Sequence, residues 1–312
     1  MAKEKSIFKF YRVSDYSVSA FSNSQIFCSH YSAFNDPFEC WCIGETGIPH
    51  PVREKQRYIN VYRAWGFDEA DFSESGIEEL NEYCDQFDNE YSESILRYIE
   101  SARIACFSRD ITNMLMWSHY TDGLRGFCIE FAPDQLIKPS QQAVILKVKY
   151  SRKPEHIDTM VYSVAEDQVD FHEMVIDEEL GYRKYVKDHK RDNIRPYADW
   201  LKRSRRLLFS LYAKQLAVKP MEWCYEKEMR LIYHSGSDSL NGELFDYPAS
   251  AVKSVIFGEK MSAGNRKLLT DIAMEKYPGV RLGTAVRSRL DYKISIQYET
   301  QQRLRLLVDK EP

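Results

Sequence analysis

The sequence has little of what would assign it to a specialised structural class. Glycine and proline occur only 13 and 11 times in 312 residues, which excludes a collagen-like or linker-dominated chain. No apolar run approaches the roughly 20 residues that a membrane-spanning helix needs. The charged residues at the start of the sequence are not followed by the apolar stretch that is typical of a signal peptide. The seven cysteines are odd in number and widely spaced, which favours a reduced, cytoplasmic protein over a disulfide framework.

Familiar catalytic fingerprints are missing as well. We find neither a glycine-rich Rossmann motif nor a P-loop for phosphate, and neither a Gly-x-Ser-x-Gly elbow nor a His-Glu-x-x-His helix. The net charge of −4 provides no general attraction to nucleic acid or to an anionic membrane. We therefore expect no membrane partner, and a nucleic acid would need a local basic patch.

The composition instead suits a folded protein with a substantial core. Apolar residues make up 44% of the chain and aromatic residues 13%, and aromatic side chains favour β-structure. We predict an α+β fold with a mixed or antiparallel sheet core and two helical insertions. The core would comprise residues 1–50, 101–150 and 214–300, with insertions at 51–100 and 155–213. No linker-like boundary is visible, so residues 1–312 are expected to form a single domain.

The predicted strands follow short aromatic and β-branched runs. They are Phe8–Arg12, Ile26–His30, Arg103–Ser108, Leu124–Phe131, Ala143–Tyr150, Lys214–Val218, Glu228–His234, Ser254–Phe257 and Lys293–Tyr298. A helix is predicted at Ser262–Lys276.

The second insertion divides sharply by charge. Glu155–Leu180 carries nine carboxylates and no lysine or arginine, whereas Arg183–Arg206 carries ten lysines and arginines against three aspartates. Attraction between two antiparallel helices of opposite sign explains this pattern, and we favour it. A nucleic-acid-binding face remains the alternative, because Tyr182, Tyr185 and Trp200 lie among the basic residues as stacking platforms would.

Two early segments combine polar groups that could bind a ligand. Tyr11-Arg12 ends the first strand, and a planar guanidinium there can clamp a phosphate, although an ordinary surface arginine is the simpler reading. Residues 29–40, SHYSAFNDPFEC, place hydroxyls, an imidazole, an amide and carboxylates around a turn at Asn35-Asp36-Pro37. Such a turn can be purely structural, with Asn35 and Asp36 capping their own backbone, or it can form a site.

Two later segments add aromatic and acidic groups. The segment Asn113–Tyr120 is expected to lie in a helix that begins near Asp110. The rings of Trp117 and Tyr120 would then form an aromatic wall for a ligand, with His119 beside it. Alternatively, the helix is part of the core and has no binding role. If residues 225–233 form one strand, Glu226, Glu228 and Arg230 share a face. That face is either solvated or the floor of a site that presents a catalytic carboxylate.

Zinc-type ligands also occur, in Cys28-x-His30 and Cys40-x-Cys42 with His50 beyond. Structural zinc usually has a gap of two to four residues within each pair. The gap of one residue in this sequence is atypical, and we predict no metal site there.

Taken in order, these segments resemble a bacterial family catalogued as domain of unknown function 2971. The shared motifs are the early Tyr11-Arg12, then Phe34–Glu39, Met116–Tyr120, Gly126–Phe131 and Lys219–Arg230. The resemblance spans most of the chain outside the insertions and the C-terminal tail, and it implies no established activity.

The layout is also similar to that of ADP-ribosyltransferases. In those enzymes an early strand supplies an arginine or histidine, a serine- and tyrosine-containing segment forms the nicotinamide pocket, and a late strand presents Glu-x-Glu. Arg12, Ser29–Tyr31 and Glu226-x-Glu228 follow this order, although the usual Ser-Thr-Ser segment is replaced by residues 29–32, SHYS.

This similarity implies an NAD-dependent ADP-ribosyltransferase-like or NAD-cleaving enzyme, with NAD as cosubstrate, a protein or nucleic acid as acceptor, and a role in bacterial defence or stress. The catalytic residues would be Glu228, Glu226 and Arg230. The residues expected to bind NAD are Tyr11, Arg12, Ser29, His30, Tyr31, Asn35, Asp36, Trp117, His119 and Tyr120. Two alternatives stay open: a non-catalytic nucleic-acid-interacting regulatory protein, and a metal-dependent hydrolase or nuclease that uses Asp36, Glu39, Glu226 and Glu228.

Overall fold

The computed structural model describes residues 5–68, 74–87, 98–186, 194–237 and 240–299. The chain forms two compact units, each built from segments that are distant in the sequence. Unit 1 comprises Met1–Glu39, Glu100–Ser151 and Lys219–Pro312, and unit 2 comprises Cys40–Ile99 and Arg152–Val218. Unit 2 thus contains nearly all of the two segments expected as helical insertions. The expectation of a single domain stays a prediction.

The described strands are β1 (Ile7–Tyr11), β2 (Gln25–Cys28), β3 (Ile43–Glu45), β4 (Ala102–Ser108), β5 (Phe127–Phe131), β6 (Ala143–Lys147), β7 (Lys149–Ser151), β8 (His156–Asp158), β9 (Val218–Pro220), β10 (Glu228–His234), β11 (Glu243–Asp246), β12 (Val252–Gly258), β13 (Arg281–Arg287) and β14 (Ile294–Tyr298). The described α-helices are α1 (Asp15–Ser22), α2 (Lys55–Trp65), α3 (Glu74–Cys84), α4 (Met114–Tyr120), α5 (Thr159–Val186), α6 (Ile194–Leu216) and α7 (Ala263–Lys276).

Unit 1 is organised around an eight-stranded sheet in the order β14–β13–β12–β5–β1–β4–β10–β6. Within it, β12 and β13 run parallel, and the other neighbours run antiparallel. Helix α7 lies between β12 and β13 in the chain, as expected because a parallel pair needs a long crossover connection. The predicted α+β class with a mixed, mostly antiparallel sheet is confirmed.

One face of this sheet carries the main apolar core under α1 and α7. Phe21 of α1 and Leu269 of α7 are buried there with Phe107 and Leu231. Successive side chains of a strand point to opposite faces. Since Met229 and Leu231 of β10 enter this core, Glu228 and Arg230 point to the other face.

The other face is covered in part by α4, whose Met116 and Trp117 pack with Phe10 of β1. The helix begins at Met114 rather than near Asp110, because Asn113 is its N-cap and accepts a hydrogen bond from the backbone N–H of Leu115 at 2.9 Å. An N-cap of this type satisfies backbone donors that the first helical turn leaves free.

Unit 2 is mainly helical. The buried residues of α6 recur every three or four positions, as one face of a helix requires. Those at this spacing are Leu201, Ser204, Leu208, Leu211 and Gln215, and the adjacent Leu216 is buried as well. Arg205 of α6 forms an ion pair with Glu173 of α5 at 2.6 Å, in agreement with attraction between the acidic and basic helices. The basic residues at 187–193 lie outside the described residues.

Two boundary predictions need correction. The strand predicted at Lys214–Val218 is wrong, because the helical spacing of buried residues in α6 continues to Leu216. The strand predicted at Leu124–Phe131 begins only at Phe127, since Asp122, Gly123 and Leu124 all have positive φ and form a turn. The sequence analysis does not predict strands β3, β8, β11 and β13. No helix in the described part of the chain combines the length and the apolar character needed to cross a bilayer.

Candidate functional site

The acidic segment before β10 is a turn followed by a strand. Met221–Glu226 forms a short 3₁₀ helix, and Lys227 then adopts the left-handed conformation at φ 47° and ψ 46° before β10 begins at Glu228. The prediction that Glu226 lies on the same strand as Glu228 is therefore wrong. The turn nevertheless directs both carboxylates to the same place.

Five charged side chains meet there and form what we call the ionic cluster: Glu39, Lys219, Glu226, Glu228 and Arg230. Lys219 Nζ lies 2.9 Å from Glu226 Oε2 and 3.0 Å from Glu228 Oε2. Arg230 binds Glu228 Oε1 through Nε at 2.8 Å and Glu39 Oε1 through Nη1 at 2.6 Å. All five side chains are at most 5% exposed, so the ions stabilise one another away from water.

Neighbouring hydroxyl groups hold the two central glutamates in place. The hydroxyl of Tyr120 on α4 donates a hydrogen bond to Glu226 Oε1. The hydroxyl of Ser108 at the end of β4 donates to the backbone carbonyl of Glu226 at 2.7 Å. Tyr150 accepts the backbone N–H of Glu228 at 2.7 Å. Three separate elements of unit 1 therefore fix the positions of the carboxylates.

The 3₁₀ helix is tied to α4 by Asn113, whose side-chain amide donates to the carbonyl of Tyr225. The same residue caps α4. Asn113 thus sets the relative positions of Tyr120 and Glu226, so that the tyrosine hydroxyl can donate its hydrogen bond to the glutamate.

The two glutamates differ in their protonation. Burial works against ionisation of Glu228, but Arg230 and Lys219 outweigh it and lower its pKa to about 2. For Glu226, burial is the largest influence and raises the pKa above its usual value, even though Lys219 and Tyr120 oppose it. Burial also disfavours the charged form of Lys219, yet Glu228 and Glu226 raise the pKa of that ammonium. Glu226 is thus the carboxylate that more readily takes up a proton.

The ionic cluster forms one end of a cleft in unit 1. An inner chamber of about 170 Å³ is lined by Lys219, Glu226 and Glu228 and by several aromatic side chains. The aromatic residues are Phe8, Phe10, Phe27, Phe34, Phe107 and Tyr120. Among the described residues, β1 and β4 pair only at Phe8 and Ser108, and side chains of both strands line this chamber.

An outer, more open cavity of about 710 Å³ shares Asn35 and Tyr120 with the inner chamber. Its remaining lining residues are Arg12, His119, Trp223 and Tyr225. Arg12 Nη2 donates to the carbonyl of His119 at 3.1 Å, which holds the exposed guanidinium at the rim. The ring of Trp223 also lies 5.0 Å from Lys219 Nζ and so joins the outer cavity to the ionic cluster.

The cleft therefore gathers residues from all four sequence segments. Of the residues expected to bind NAD, Ser29 lines the inner chamber, Asn35 and Tyr120 line both cavities, and Arg12 and His119 line the outer one. Glu226 and Glu228 lie in the inner chamber, and Arg230 supports Glu228 from within the sheet.

Other expected site residues have structural surroundings. Trp117 is 1% exposed, its Nε1 donates to the carbonyl of Ile111 at 2.7 Å, and Phe10 packs edge-on against its ring. The prediction that Trp117 offers a free ring to a ligand is therefore wrong. Tyr11 stacks on Phe127 at 5.1 Å on the core face of the sheet, and burial raises its pKa well above the usual value.

The turn after β2 also has structural contacts. His30 is buried against the ring of Tyr31, with ring centroids 4.3 Å apart, and its Nδ1 pairs with the hydroxyl of Ser32 at 2.7 Å. Burial and the nearby Arg103 lower the pKa of His30. Asp36 accepts the backbone N–H of Phe38 at 2.9 Å and so closes the turn.

Sequence reasoning missed several residues of the site, among them Lys219, Tyr150 and Lys9. Lys219 stood in the matched motif but received no role, although a lysine close to two glutamates in the chain was the available signal. Tyr150 and Lys9 carried no such signal. Lys9 lines the inner chamber and donates to the carbonyl of Cys106 at 3.2 Å, and burial lowers its pKa.

The carboxylates do not form a recognisable metal site. Among the described residues, no group of three or more histidine, cysteine, aspartate or glutamate side chains is placed to share an ion. Lys219 and Arg230 instead lie between the carboxylates of the ionic cluster. All seven cysteines are free thiols.

Comparison with known proteins adds a partial family match. Residues 116–231 match the sequence model of the family described as protein of unknown function (DUF2971). This span includes Tyr120, Lys219, Glu226, Glu228 and Arg230 and supports the resemblance to that family over this part of the chain. No curated protein and no solved structure matches the chain.

Proposed function

We propose that the protein is an NAD-dependent ADP-ribosyltransferase-like or NAD-cleaving enzyme that works in the cleft of unit 1. The observation that carries the proposal is that two buried carboxylates, Glu226 and Glu228, lie at the inner end of an aromatic cleft with Arg12 at its rim. A cytoplasmic location and a role in bacterial defence or stress belong to the same proposal.

The size of the two cavities suits the two ends of this substrate. A cavity of about 150 Å³ admits a benzene ring, so the inner chamber of about 170 Å³ has room for one planar six-membered ring. Small-molecule sites range from about 300 to 1,000 Å³, and the outer cavity of about 710 Å³ has room for the remaining part of the NAD molecule. Arg12 would bind phosphate oxygens there.

The charge of the ionic cluster, taken by itself, suits a reaction that develops positive charge beside it. The ionic cluster contains three glutamates against two cations, Lys219 and Arg230. Breaking the bond between ribose C1 and the nicotinamide nitrogen leaves positive charge on the ribose, and a negative group fixed in advance stabilises it. The residual negative charge of the cluster therefore favours the transition state.

We place Glu226 beside the ribose and give Glu228 a supporting role, the reverse of the assignment that the sequence implied. Both oxygens of Glu228 are already held by cations, whereas Glu226 Oε1 faces a tyrosine hydroxyl. As the bond breaks, its electron pair stays on the nicotinamide nitrogen. Water or an acceptor group then adds to C1 and loses its proton, which Glu226 accepts because burial raises its pKa.

The test is incubation of the purified protein with NAD, with chromatography for nicotinamide and label transfer to protein and nucleic-acid acceptors. Glu226→Gln is expected to lower the rate of nicotinamide release at least about 100-fold, the scale of losing one group that stabilises transition-state charge. Glu222→Gln is the matched control, since Glu222 is exposed on the same 3₁₀ helix.

Thermal unfolding of each variant separates loss of activity from loss of fold. Intact NAD with every acceptor, or a Glu226→Gln variant as active as the unmodified protein, overturns the proposal. Activity that a chelator abolishes would favour the metal-dependent hydrolase instead.

A further inference from the structure

A second lysine, Lys9 of β1, lines the inner chamber, and the proposed reaction with NAD does not use it. In the described part of the chain, β1 and β4 pair only at Phe8 and Ser108. Beyond that pair the side chain of Lys9 connects the two strands, because its Nζ donates to the carbonyl of Cys106 on β4 at 3.2 Å. Lys9 therefore lies where the two strands separate and the chamber reaches between them.

The amino group of Lys9 has mainly aromatic neighbours. The ring centroids of Phe107 and Tyr11 lie 5.4 Å and 5.6 Å from its Nζ. Among the residues that the structure describes, its one side-chain hydrogen bond goes to Cys106, and no carboxylate forms an ion pair with it. A buried ammonium without a carboxylate partner is costly, so these surroundings favour an uncharged amine.

The two lysines of the chamber consequently differ in protonation. Burial disfavours the charged form of both side chains. In Lys219, two glutamates overcome this effect and raise the pKa. In Lys9, burial outweighs the opposing influence of Cys106, Cys28 and Glu228, and the pKa is lowered. A neutral amine has a lone pair, and a lysine in an apolar pocket is for this reason a nucleophile.

The chamber suits a ring-sized partner for this amine. Its volume of about 170 Å³ exceeds the roughly 150 Å³ that admits benzene, and phenylalanine rings such as Phe8 and Phe34 line it. Asn35 and Tyr120 also line the open outer cavity, which provides the route from solvent. Glu226 lines the same chamber and, because burial raises its pKa, takes up a proton readily.

We propose that Lys9 forms an imine with a small aromatic aldehyde or ketone whose ring occupies the inner chamber. The lone pair of the amine bonds to the carbonyl carbon, and one amine proton moves to the carbonyl oxygen. Glu226 then protonates this oxygen, which leaves as water, and takes back the second proton from the nitrogen. Both hydrogens of the amine thus end in the water, and nothing is oxidised or reduced. This activity is additional to NAD cleavage and does not depend on it.

The test is labelling of the full chain with benzaldehyde near neutral pH in the presence of cyanoborohydride, which reduces an imine to a stable benzylamine. Mass spectrometry of peptides then gives the rate of labelling at each lysine. Lys9 is expected to react at least about tenfold faster than the exposed Lys260, because the chamber holds the aldehyde beside an uncharged amine. Benzyl alcohol, which has the ring but no carbonyl group, should slow labelling of Lys9 and not of Lys260.

Two variants check the assignment. Lys9→Met removes the amine and should abolish the fast label, whereas Lys260→Met is the matched control that leaves it unchanged. If Lys9→Met lowers the melting temperature, Lys9→Arg replaces it, since arginine keeps a hydrogen-bond donor but forms no imine under these conditions. Protection by benzyl alcohol is measured on the unmodified protein and needs no variant.

Three results overturn the inference: Lys9 is not labelled, Lys9 reacts no faster than Lys260, or benzyl alcohol does not slow the reaction of Lys9. The last result would show a reactive lysine without a ligand site. Because NAD takes no part in the labelling, failure of NAD cleavage would leave this inference unaffected, and absence of the label would leave the proposed reaction with NAD unaffected.

Discussion

The ammonium group of Lys219 lies 2.9 Å from the carboxylate of Glu226, and both side chains are almost completely buried. The same ammonium is 3.0 Å from Glu228, so one lysine neutralises part of the charge of two glutamates. A charge that is buried without a partner costs several kcal/mol. The arrangement makes Lys219 important for stability and for the ionisation of the site together.

Replacement of Lys219 by methionine should destabilise the protein strongly. Methionine keeps an unbranched side chain that is one atom shorter, but it leaves Glu226 without its cation and Glu228 with Arg230 alone. We expect the free energy of unfolding to fall by about 3–5 kcal/mol, measured by urea denaturation at pH 7. Lys227→Met is the control: its ion pair with Asp110 is half-exposed and should contribute less than about 1 kcal/mol. Equal effects of the two variants would contradict the structure.

Stability should decrease in acid because of Glu228. The folded protein lowers the pKa of Glu228 from 4.5 to about 2 through Arg230 and Lys219, against the opposing effect of burial. The unfolded chain therefore binds a proton that the folded chain does not, and the free energy of unfolding falls between about pH 4.5 and pH 2. The loss from this one group is about 3 kcal/mol.

Denaturant titrations at several pH values in this window provide the measurement. In Glu228→Gln the free energy of unfolding should fall by about 3 kcal/mol less over this pH range than in the unmodified protein. In Glu222→Gln it should fall by the same amount as in the unmodified protein. Glu226 acts in a different range: its raised pKa means that its protonated form adds stability below pH 4.5, and that this stability is lost as the pH rises through the folded pKa.

Tyr120→Phe should lower both the activity and the stability of the protein. The substitution removes the hydrogen bond to Glu226 Oε1 and nothing else from the side chain, and one lost hydrogen bond to a charged group costs about 1.5–3 kcal/mol. We expect the rate of NAD cleavage to fall about tenfold or more while the protein stays folded. Tyr16→Phe, at a tyrosine that is 90% exposed, should leave both properties unchanged. A fully active Tyr120→Phe variant would show that the orientation of Glu226 does not depend on this hydroxyl.

Arg12→Gln should affect substrate binding rather than the chemical step. Arg12 lies at the rim of the outer cavity and is separated from the carboxylates by the inner chamber. We expect KM for NAD to rise about tenfold with little change in kcat. The reason is that Arg12 would bind the phosphates equally well in the ground state and in the transition state, so its loss weakens binding without slowing the bound substrate's reaction. Arg125→Gln is the control, since Arg125 is exposed and contacts Asp122. A fall in kcat at constant KM would contradict a role in phosphate binding.

The local sequence determined those elements whose buried residues repeat at a regular spacing. Glu228–His234 was predicted as a strand and is one, with Met229 and Leu231 on the core side. The helix expected at Ser262–Lys276 is also present, with Ser262 as its N-cap. Alternation along a strand and capping at a helix end are local properties, since each depends on residues a few positions apart.

Only the tertiary structure decided which groups form the site. The sequence pointed to Glu226 and Glu228, yet Lys219 became their partner only through the 3₁₀ turn, and Glu39 reached Arg230 from the other end of the chain. The tertiary structure likewise buries Trp117 in the core and places Tyr120, three residues later, at the cleft. Burial and ion pairing depend on which distant segments fold against a residue, and no local spacing carries that information.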